Sequence, residues 1–313
     1  MVKQKPGPFA SLLTISDLTQ KALNEIISLA LKIKTNPENY ENSLARKKIA
    51  LIFQKTSTRT KESFLVGAYE LGMFPSFIDW KTSNFTLSAL EDEIKVLSNW
   101  YDVIMARVHD HNDLLTMRAN SSAPIINGLS QLYHPCQALA DILTVVEEFG
   151  EDLSKVKLAY LGDGNNVCNS LIEAASLAGI KEIYIACPEM EEYQPLEESV
   201  TFAKNFGANL TITTNPSEAV AGANVVYTDT WVSMGEEAET EVRLKVFSEY
   251  QVNAKLMQQA SKNAIFMHDM PAHLGQEVTV DVFRGINSRV FVQADNRKHA
   301  QKAVLCQILN QSN

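Results

Sequence analysis

Short apolar runs recur along this chain, separated by longer amphipathic stretches, and that rhythm constrains the fold more than any other feature. In the first half the runs are Lys48 to Phe53, Phe74 to Asp79, Val103 to Val108 and Ala123 to Asn127. In the second half they are Val156 to Leu161, Glu182 to Cys187, Asn209 to Thr213, Asn224 to Thr228, Ala264 to His268 and Arg289 to Val292. An unbroken apolar run suits a strand buried on both faces, and strands alternating with helical stretches form parallel sheets covered by helices. At 313 residues the chain can hold two such sheets, because a domain commonly takes roughly 150 residues. The sequence therefore predicts an α/β protein of two doubly wound parallel-sheet domains joined by helices. The divide is expected in a helix from Pro135 to Phe149, ended by Gly150, which gives domains of 1–140 and 141–296. A further helix is expected from the spacing of Ala300, Ala303, Val304 and Ile308.

Ligands of parallel α/β sheets collect beyond the carboxyl ends of the strands, so the residues after each run are where chemistry is expected. After Phe53 the chain reads Gln-Lys-Thr-Ser-Thr-Arg-Thr-Lys, and a helical pattern of Phe64, Leu65, Ala68 and Leu71 follows. Ser57, Thr58, Arg59 and Thr60 then fall at a helix N-terminus, where open N–H groups and the positive end of the helix dipole attract a dianion. Arg59 adds a forked, permanently charged donor set. The segment suits a phosphate, although on its own it also fits an ordinary Ser/Thr cap beside a surface arginine. Arg107 ends another run, and His134-Pro135-Cys136-Gln137 opens the connecting helix. Singly, these fit an ion-pair partner and a helix entry.

In the second half, Gly162-Asp163-Gly164-Asn165-Asn166 follows a run and opens a helix, but the glycine spacing of a dinucleotide turn fails after Gly164. Amide side chains at a helix N-terminus suit a carboxylate better. Asp229, followed by Ser233, Met234 and Gly235, could hold an amino group or merely cap a turn. His268-Asp269-Met270-Pro271-Ala272-His273 is rich in acceptors, yet its two histidines lack the pattern of a third ligand, so no metal is expected. Asp295-Asn296-Arg297 places a fixed cation ahead of the last helix.

Composition closes several function classes. A formal charge of −9 argues against nucleic-acid binding, which depends on basic contacts to phosphates. Cys136, Cys168, Cys187 and Cys306 form no CxxC pair, so neither a disulfide framework nor a zinc site is expected, which suits a reducing cytoplasm. Residues 1–15 lack the apolar core of a signal peptide, and no long uncharged apolar window exists, so neither export nor membrane insertion is expected.

Taken together and in order, Ser57 to Thr60, Arg107, His134 to Gln137, Asp229 to Gly235, His268 to Pro271 and Asp295 to Arg297 resemble the aspartate/ornithine carbamoyltransferase family over essentially the whole chain. Asp229, Ser233, Met234 and Gly235 resemble its ornithine branch. The resemblance implies a carbamoyl phosphate-binding domain, 1–140, with a C-terminal helix, 297–313, packing back on it, and an ornithine-binding domain, 141–296. It also implies no cofactor, a homotrimer or a multiple of trimers with shared active sites, and transfer of a carbamoyl group to the side-chain amine of L-ornithine.

By the same resemblance Ser57, Thr58, Arg59 and Thr60 hold the phosphate, and Arg107 is shared between phosphate and carbonyl oxygen. His134 donates to that oxygen, Gln137 orients the carbamoyl amide, Met270 adds a contact and Arg297 completes the charge stabilisation. Asn166 takes the ornithine carboxylate, Asp229 and Ser233 take the α-amino group, and Met234 offers a backbone N–H.

Two motifs depart from the family. Lys61 replaces an arginine in one, and in the other Asp269 replaces the cysteine of the His-Cys-Leu-Pro motif, with Met270 in place of its leucine. Asp269 is expected to pair with the incoming ammonium and accept its proton during attack. Lys81 and Asn84 are nominated from the loop, Trp80 to Leu87, that the family lends to a neighbouring subunit. Alternatives are a carbamoyltransferase for putrescine or an acylated ornithine, a nicotinamide-linked dehydrogenase, and a non-catalytic relative.

Overall fold

The structure is a computed structural model that describes residues 10–232 and 237–309. The chain divides into two compact units. The first runs to Leu143 and takes in the chain from Asn296 onward, and the second spans Thr144–Asp295.

In the first unit β1 (Lys48–Phe53), β2 (Phe74–Asp79), β3 (Val103–Arg107) and β4 (Ile125–Leu129) form a parallel sheet in the order β2-β1-β3-β4. Ile49, Ala50, Leu51 and Ile52 of β1 are fully buried, as an unbroken apolar run in a covered sheet requires. Each large aliphatic side chain among them contributes about 1.5–3 kcal/mol of burial. The order reverses direction between β1 and β3, so the crevice of this sheet opens where the two strands end.

In the second unit β5 (Lys157–Leu161), β6 (Glu182–Ala186), β7 (Asn209–Thr213), β8 (Val225–Thr228) and β9 (Ile265–His268) form a parallel sheet in the order β7-β6-β5-β8-β9. Here the reversal lies between β5 and β8. Tyr160 of β5 and Tyr227 of β8 are fully buried and stack at 5.7 Å between ring centroids.

The helices that matter for the site are α1 (Gln20–Thr35), α2 (Arg59–Glu70), α3 (Pro135–Phe149), α4 (Asn166–Leu177) and α5 (Val290–Leu309). The division between units falls inside α3, between Leu143 and Thr144, and again inside α5.

One expected strand is not a strand. Arg289 to Val292 forms the entry to α5, which begins at Val290, far earlier than the apolar spacing of its last turns indicates. A four-residue apolar run cannot be told from a piece of helix by periodicity. Burial resolves it: Val290 and Gln293 are fully buried while Phe291 and Val292 are exposed, the i, i+3 signature of a helix face. The strand-like character is confined to the residues just before, where Ser288 bridges Phe266 of β9 and Arg289 N–H donates to the Phe266 carbonyl at 2.8 Å.

Candidate active site

In the first unit the segment after β1 does reach a helix N-terminus, since α2 begins at Arg59 and Thr58 precedes it. Ser57 and Arg59 are half-buried, Thr58 is exposed and Thr60 is buried. The register between β3 and β4 slips at Ala106/Arg107, leaving Gly128 as the extra residue of a bulge beside Arg107. Bulges next to sites re-aim a side chain, and a Cβ at Gly128 would lie 2.4 Å from Met105 Sδ, so a larger residue here would force that thioether to move. Arg107 Nη1 lies 3.5 Å from the Thr60 hydroxyl, and Arg297 Nη2 donates to the same hydroxyl at 3.0 Å. Two guanidinium groups, both buried, therefore meet at one buried oxygen of the first α2 turn.

Arg297 also donates through Nη1 to Gln137 Oε1 at 2.6 Å, and Gln137 Nε2 donates to Asp141 Oδ1 at 2.7 Å. Gln137 is thereby fixed at both ends of its amide. Asp141, one helical turn further along α3, is a member of the cluster that motif spacing alone does not pick out. The i, i+4 pairing of an amide with a carboxylate is the only trace it leaves in the sequence.

His134, at the mouth of α3, is buried, and its pKa is held well below the usual histidine range. Burial is the main cause, followed by the positive charges of Arg297, Arg107 and Arg59. The imidazole is accordingly neutral at pH 7 and keeps one N–H to donate. His109, beside the end of β3, is likewise shifted down, by its partial burial and then by Lys55 and Lys81, so the cationic field extends toward the surface. Lys61 holds its ammonium 4.5 Å from the centre of the Phe77 ring. Lys81 and Asn84 are exposed, on a loop pinned by stacking of Trp80 on Phe85 at 4.5 Å.

In the second unit Asn165, not Asn166, is the capping residue of α4. Its Oδ1 accepts from the N–H groups of Val167 and Cys168 at 3.0 and 3.1 Å, and its Nδ2 donates to Asp229 Oδ2 at 2.9 Å. Asn166 is the first helical residue, half-buried. Asp229 follows β8 directly and is buried, and its pKa is pushed from 3.8 up to about 6. Desolvation is the larger cause and the negative charge of Asp269 the next, which places the half-buried Asp269 within electrostatic reach of Asp229. Ser233 and Met234 lie outside the described residues.

The turn after β9 is held by Glu277. Met270 N–H donates to His268 Nδ1 at 2.7 Å, so the ring proton sits on Nε2, which faces Glu277 Oε1 at 3.1 Å. The same Oε1 accepts from His273 N–H at 2.6 Å, while the His273 ring nitrogen Nδ1 lies 3.1 Å from the Thr230 hydroxyl. The two imidazole rings are thus engaged with separate partners. Among the described residues no group of three His, Cys, Asp or Glu side chains is arranged to hold a metal ion.

Gly164 also has a local explanation: a Cβ there would lie 2.4 Å from the backbone of Gln194 and Pro195. That glycine serves close packing of the chain on itself rather than a pyrophosphate.

Comparison with known proteins shows the family. Residues 10–147 match the family model described as aspartate/ornithine carbamoyltransferase, carbamoyl-P binding domain, and residues 154–308 match the one described as aspartate/ornithine carbamoyltransferase, Asp/Orn binding domain. The second match runs on through α5, whereas the compact units place Asn296 and the residues after it with the first sheet. The chain is 44% identical over 303 residues to the ornithine carbamoyltransferase of Archaeoglobus fulgidus, covering 95% of this chain and 97% of that one. It is 45% identical over 307 residues to that of Methanobrevibacter smithii, covering 96% and 99%. Among solved structures, the ornithine carbamoyltransferase of Pyrococcus furiosus superposes with a TM-score of 0.90 at 39% identity, covering 97% of this chain and 98% of that one. The anabolic ornithine carbamoyltransferase of Campylobacter jejuni does so with a TM-score of 0.90 at 35% identity, covering 97% and 100%.

Proposed function

We propose that this chain, which belongs to the aspartate/ornithine carbamoyltransferase family, transfers the carbamoyl group of carbamoyl phosphate to the side-chain amine of L-ornithine, giving citrulline and phosphate. The observation that carries the reading is the meeting of Arg107 and Arg297 on the buried Thr60 hydroxyl, beside a neutral buried imidazole at His134. Fixed positive charge at a helix N-terminus binds the phosphate of carbamoyl phosphate, with Ser57, Thr58, Arg59 and Thr60 as its nearest donors. The neutral His134 donates its N–H to the carbonyl oxygen. That bond strengthens as the oxygen gains charge in the tetrahedral transition state.

On the amino-acid side, Asp229 takes the α-amino group and the α4 N-terminus, at Asn166, takes the carboxylate. The side-chain amine, once neutral, attacks the carbonyl carbon, its nitrogen gives up a proton to Asp269 as the new bond forms, and the phosphate leaves with the bonding pair. The nucleophile belongs to the substrate, so no covalent enzyme intermediate forms, and the rate enhancement comes from juxtaposition and preorganised charge. Citrulline formation from carbamoyl phosphate and L-ornithine, measured beside putrescine and an acylated ornithine, tests the reading. Turnover confined to either of the other amines would overturn it.

Asp269 is the departure from the family pattern that bears most on the chemistry. A carboxylate there draws the amine in as ammonium and accepts its proton, but it also favours the charged, non-nucleophilic form, which moves the optimum to higher pH. Asp269→Asn is expected to shift the alkaline optimum of kcat downward and to lower kcat by about 10²-fold. Asp269→Cys serves as the second arm of the same pH–rate comparison. Superimposable profiles for all three enzymes would remove Asp269 from the reaction.

A homotrimer working in the cytoplasm, in the direction of arginine synthesis, completes the proposal. Supporting the assembly are exposed apolar side chains of the first unit, Val66 and Tyr69 on α2 and Phe74 and Phe77 on the edge strand β2. Sedimentation of the purified protein as a monomer would exclude it. No helix among the described residues is long and apolar enough to cross a membrane. The biosynthetic direction is supported by the anabolic relative from Campylobacter jejuni.

A further inference from the structure

Arg297 comes to the phosphate cradle from α5, and the residues on either side of it are tethered by groups that take no part in the reaction. Before it, the fully buried Asn296 accepts from Lys34 Nζ of α1 at 2.8 Å. After it, Lys298 Nζ donates to Glu70 Oε1 at 3.1 Å, and the buried Lys302, one turn further on, donates to Glu70 Oε2 at 2.8 Å. One carboxylate thus occupies two ammonium groups of the same helix, one oxygen for each.

Glu70 is the last residue of α2, and Thr60 is the second. A helix of this length spans about 18 Å. The same rigid rod therefore presents the Thr60 hydroxyl to Arg297 at its start and holds the helix that carries Arg297 at its end. Between the two, α2 offers no side chain at the point of closest approach: a Cβ on Gly67 would lie 3.1 Å from Lys302 Cγ and 3.6 Å from Lys298 Cγ. The gap at Gly67 sets how near α5 lies, and the two-pronged bond at Glu70 sets where along α2 it stops.

Arg297 needs that register. Its Nη1 meets Gln137 at 2.6 Å and its Nη2 meets Thr60 at 3.0 Å, and a slide of α5 by about one ångström along either bond would stretch that bond past a useful length. We infer that Glu70 is a positioning residue for Arg297, fixing the depth at which the guanidinium enters the carbamoyl phosphate site through its bonds to Lys298 and Lys302. The inference rests on the proposed reaction, in which Arg297 binds and stabilises the transferring group. A carboxylate that only fastened the last helix to the domain would show the same contacts, so its test needs a readout that fastening alone does not move.

Glu70→Leu removes both acceptors at similar volume, and Glu70→Gln keeps one acceptor oxygen. The expected result for Glu70→Leu is a rise of about tenfold or more in KM for carbamoyl phosphate, because small misplacements of a positioning group carry large kinetic costs. KM for L-ornithine at saturating carbamoyl phosphate stays near that of the unmodified enzyme, and Glu70→Gln falls between. In an Arg297→Lys background, adding Glu70→Leu produces little further loss, because the two act as one unit. A lowered melting temperature with KM for carbamoyl phosphate unchanged would overturn the inference, as would an undiminished effect in the Arg297→Lys background. Where Glu70→Leu fails to fold, Glu70→Gln carries the same comparison. Failure of the unmodified enzyme to form citrulline would instead overturn the proposed reaction, so the two failures are distinct.

Discussion

Arg107→Ala is expected to lower kcat/KM for carbamoyl phosphate by about three orders of magnitude or more, since one donor aimed at a developing oxyanion contributes roughly 10²–10³ in rate and a charge-assisted contact to the phosphate is lost with it. The same substitution has the opposite effect on the empty protein. Arg59, Arg107 and Arg297 all depress the buried His134, so their charges share one poorly solvated region. Like charges gathered in one poorly solvated region repel one another and oppose folding, and bound phosphate offsets that repulsion. The melting temperature of Arg107→Ala without ligand should therefore equal or exceed that of the unmodified protein. Inorganic phosphate should then stabilise the unmodified protein by about 3 kcal/mol at a hundredfold excess over its dissociation constant, and the variant far less. Thermal unfolding with and without phosphate measures both effects. Equal phosphate shifts in the two proteins would show that Arg107 does not face the anion.

How much of this was legible beforehand depends on whether an element is set by local pattern or by distant contacts. β1 was legible because Ile49 to Ile52 leave no polar face, and the cradle was legible because hydroxyls and a guanidinium sit where a helix must start. Arg289 to Val292 was not, since its burial alternates with helical period only once Gln293 is seen to be buried, and an isolated glutamine gives no sign of that. Gln293 is buried because its amide joins His268 N–H, at 2.8 Å, to the Tyr227 hydroxyl, at 2.9 Å, a bond made across dozens of residues of sequence.

The supporting groups of the site share this property. Asp141 and Asn165 each bond a predicted residue directly, Glu277 bonds both His268 and His273, and Glu70 bonds Lys298 and Lys302 next to Arg297; their residue types are common enough that only three-dimensional proximity identifies them. Arg243 is a further case: it is buried against Asp163 and donates through Nε to the Trp231 carbonyl at 2.5 Å, fixing the chain just ahead of Ser233. A lone arginine in an amphipathic helix carries no such message in the sequence. The motif residues, by contrast, were legible because their chemistry requires particular side chains at the ends of particular strands.

Asp229→Asn should separate binding from stability in the amino-acid site. Asn165 Nδ2 donates to Asp229 Oδ2, and an asparagine at 229 can present its amide oxygen to the same donor, so the local structure is retained. What disappears is a buried negative charge, and KM for L-ornithine is expected to rise by about 10²-fold, the scale of a charge-assisted bond to a buried ammonium lost together with its desolvated partner. The stability of the ligand-free protein should move the other way. The folded-state pKa of Asp229, about 6, lies above the ordinary value of 3.8, because desolvation and the charge of Asp269 oppose ionisation. Stability from this group is therefore complete below 3.8 and is lost as pH rises through about 6, and the loss is absent from the variant. Denaturant unfolding of both proteins across that range should show a gap in favour of Asp229→Asn that opens with rising pH and levels off above about 6. Ornithine restores the balance by supplying the ammonium, so its affinity for the unmodified enzyme should weaken as pH falls through the same value and Asp229 takes up its proton. A pH-independent stability gap would show that Asp229 ionises freely. An unchanged KM would show that its charge is not what holds the amino acid.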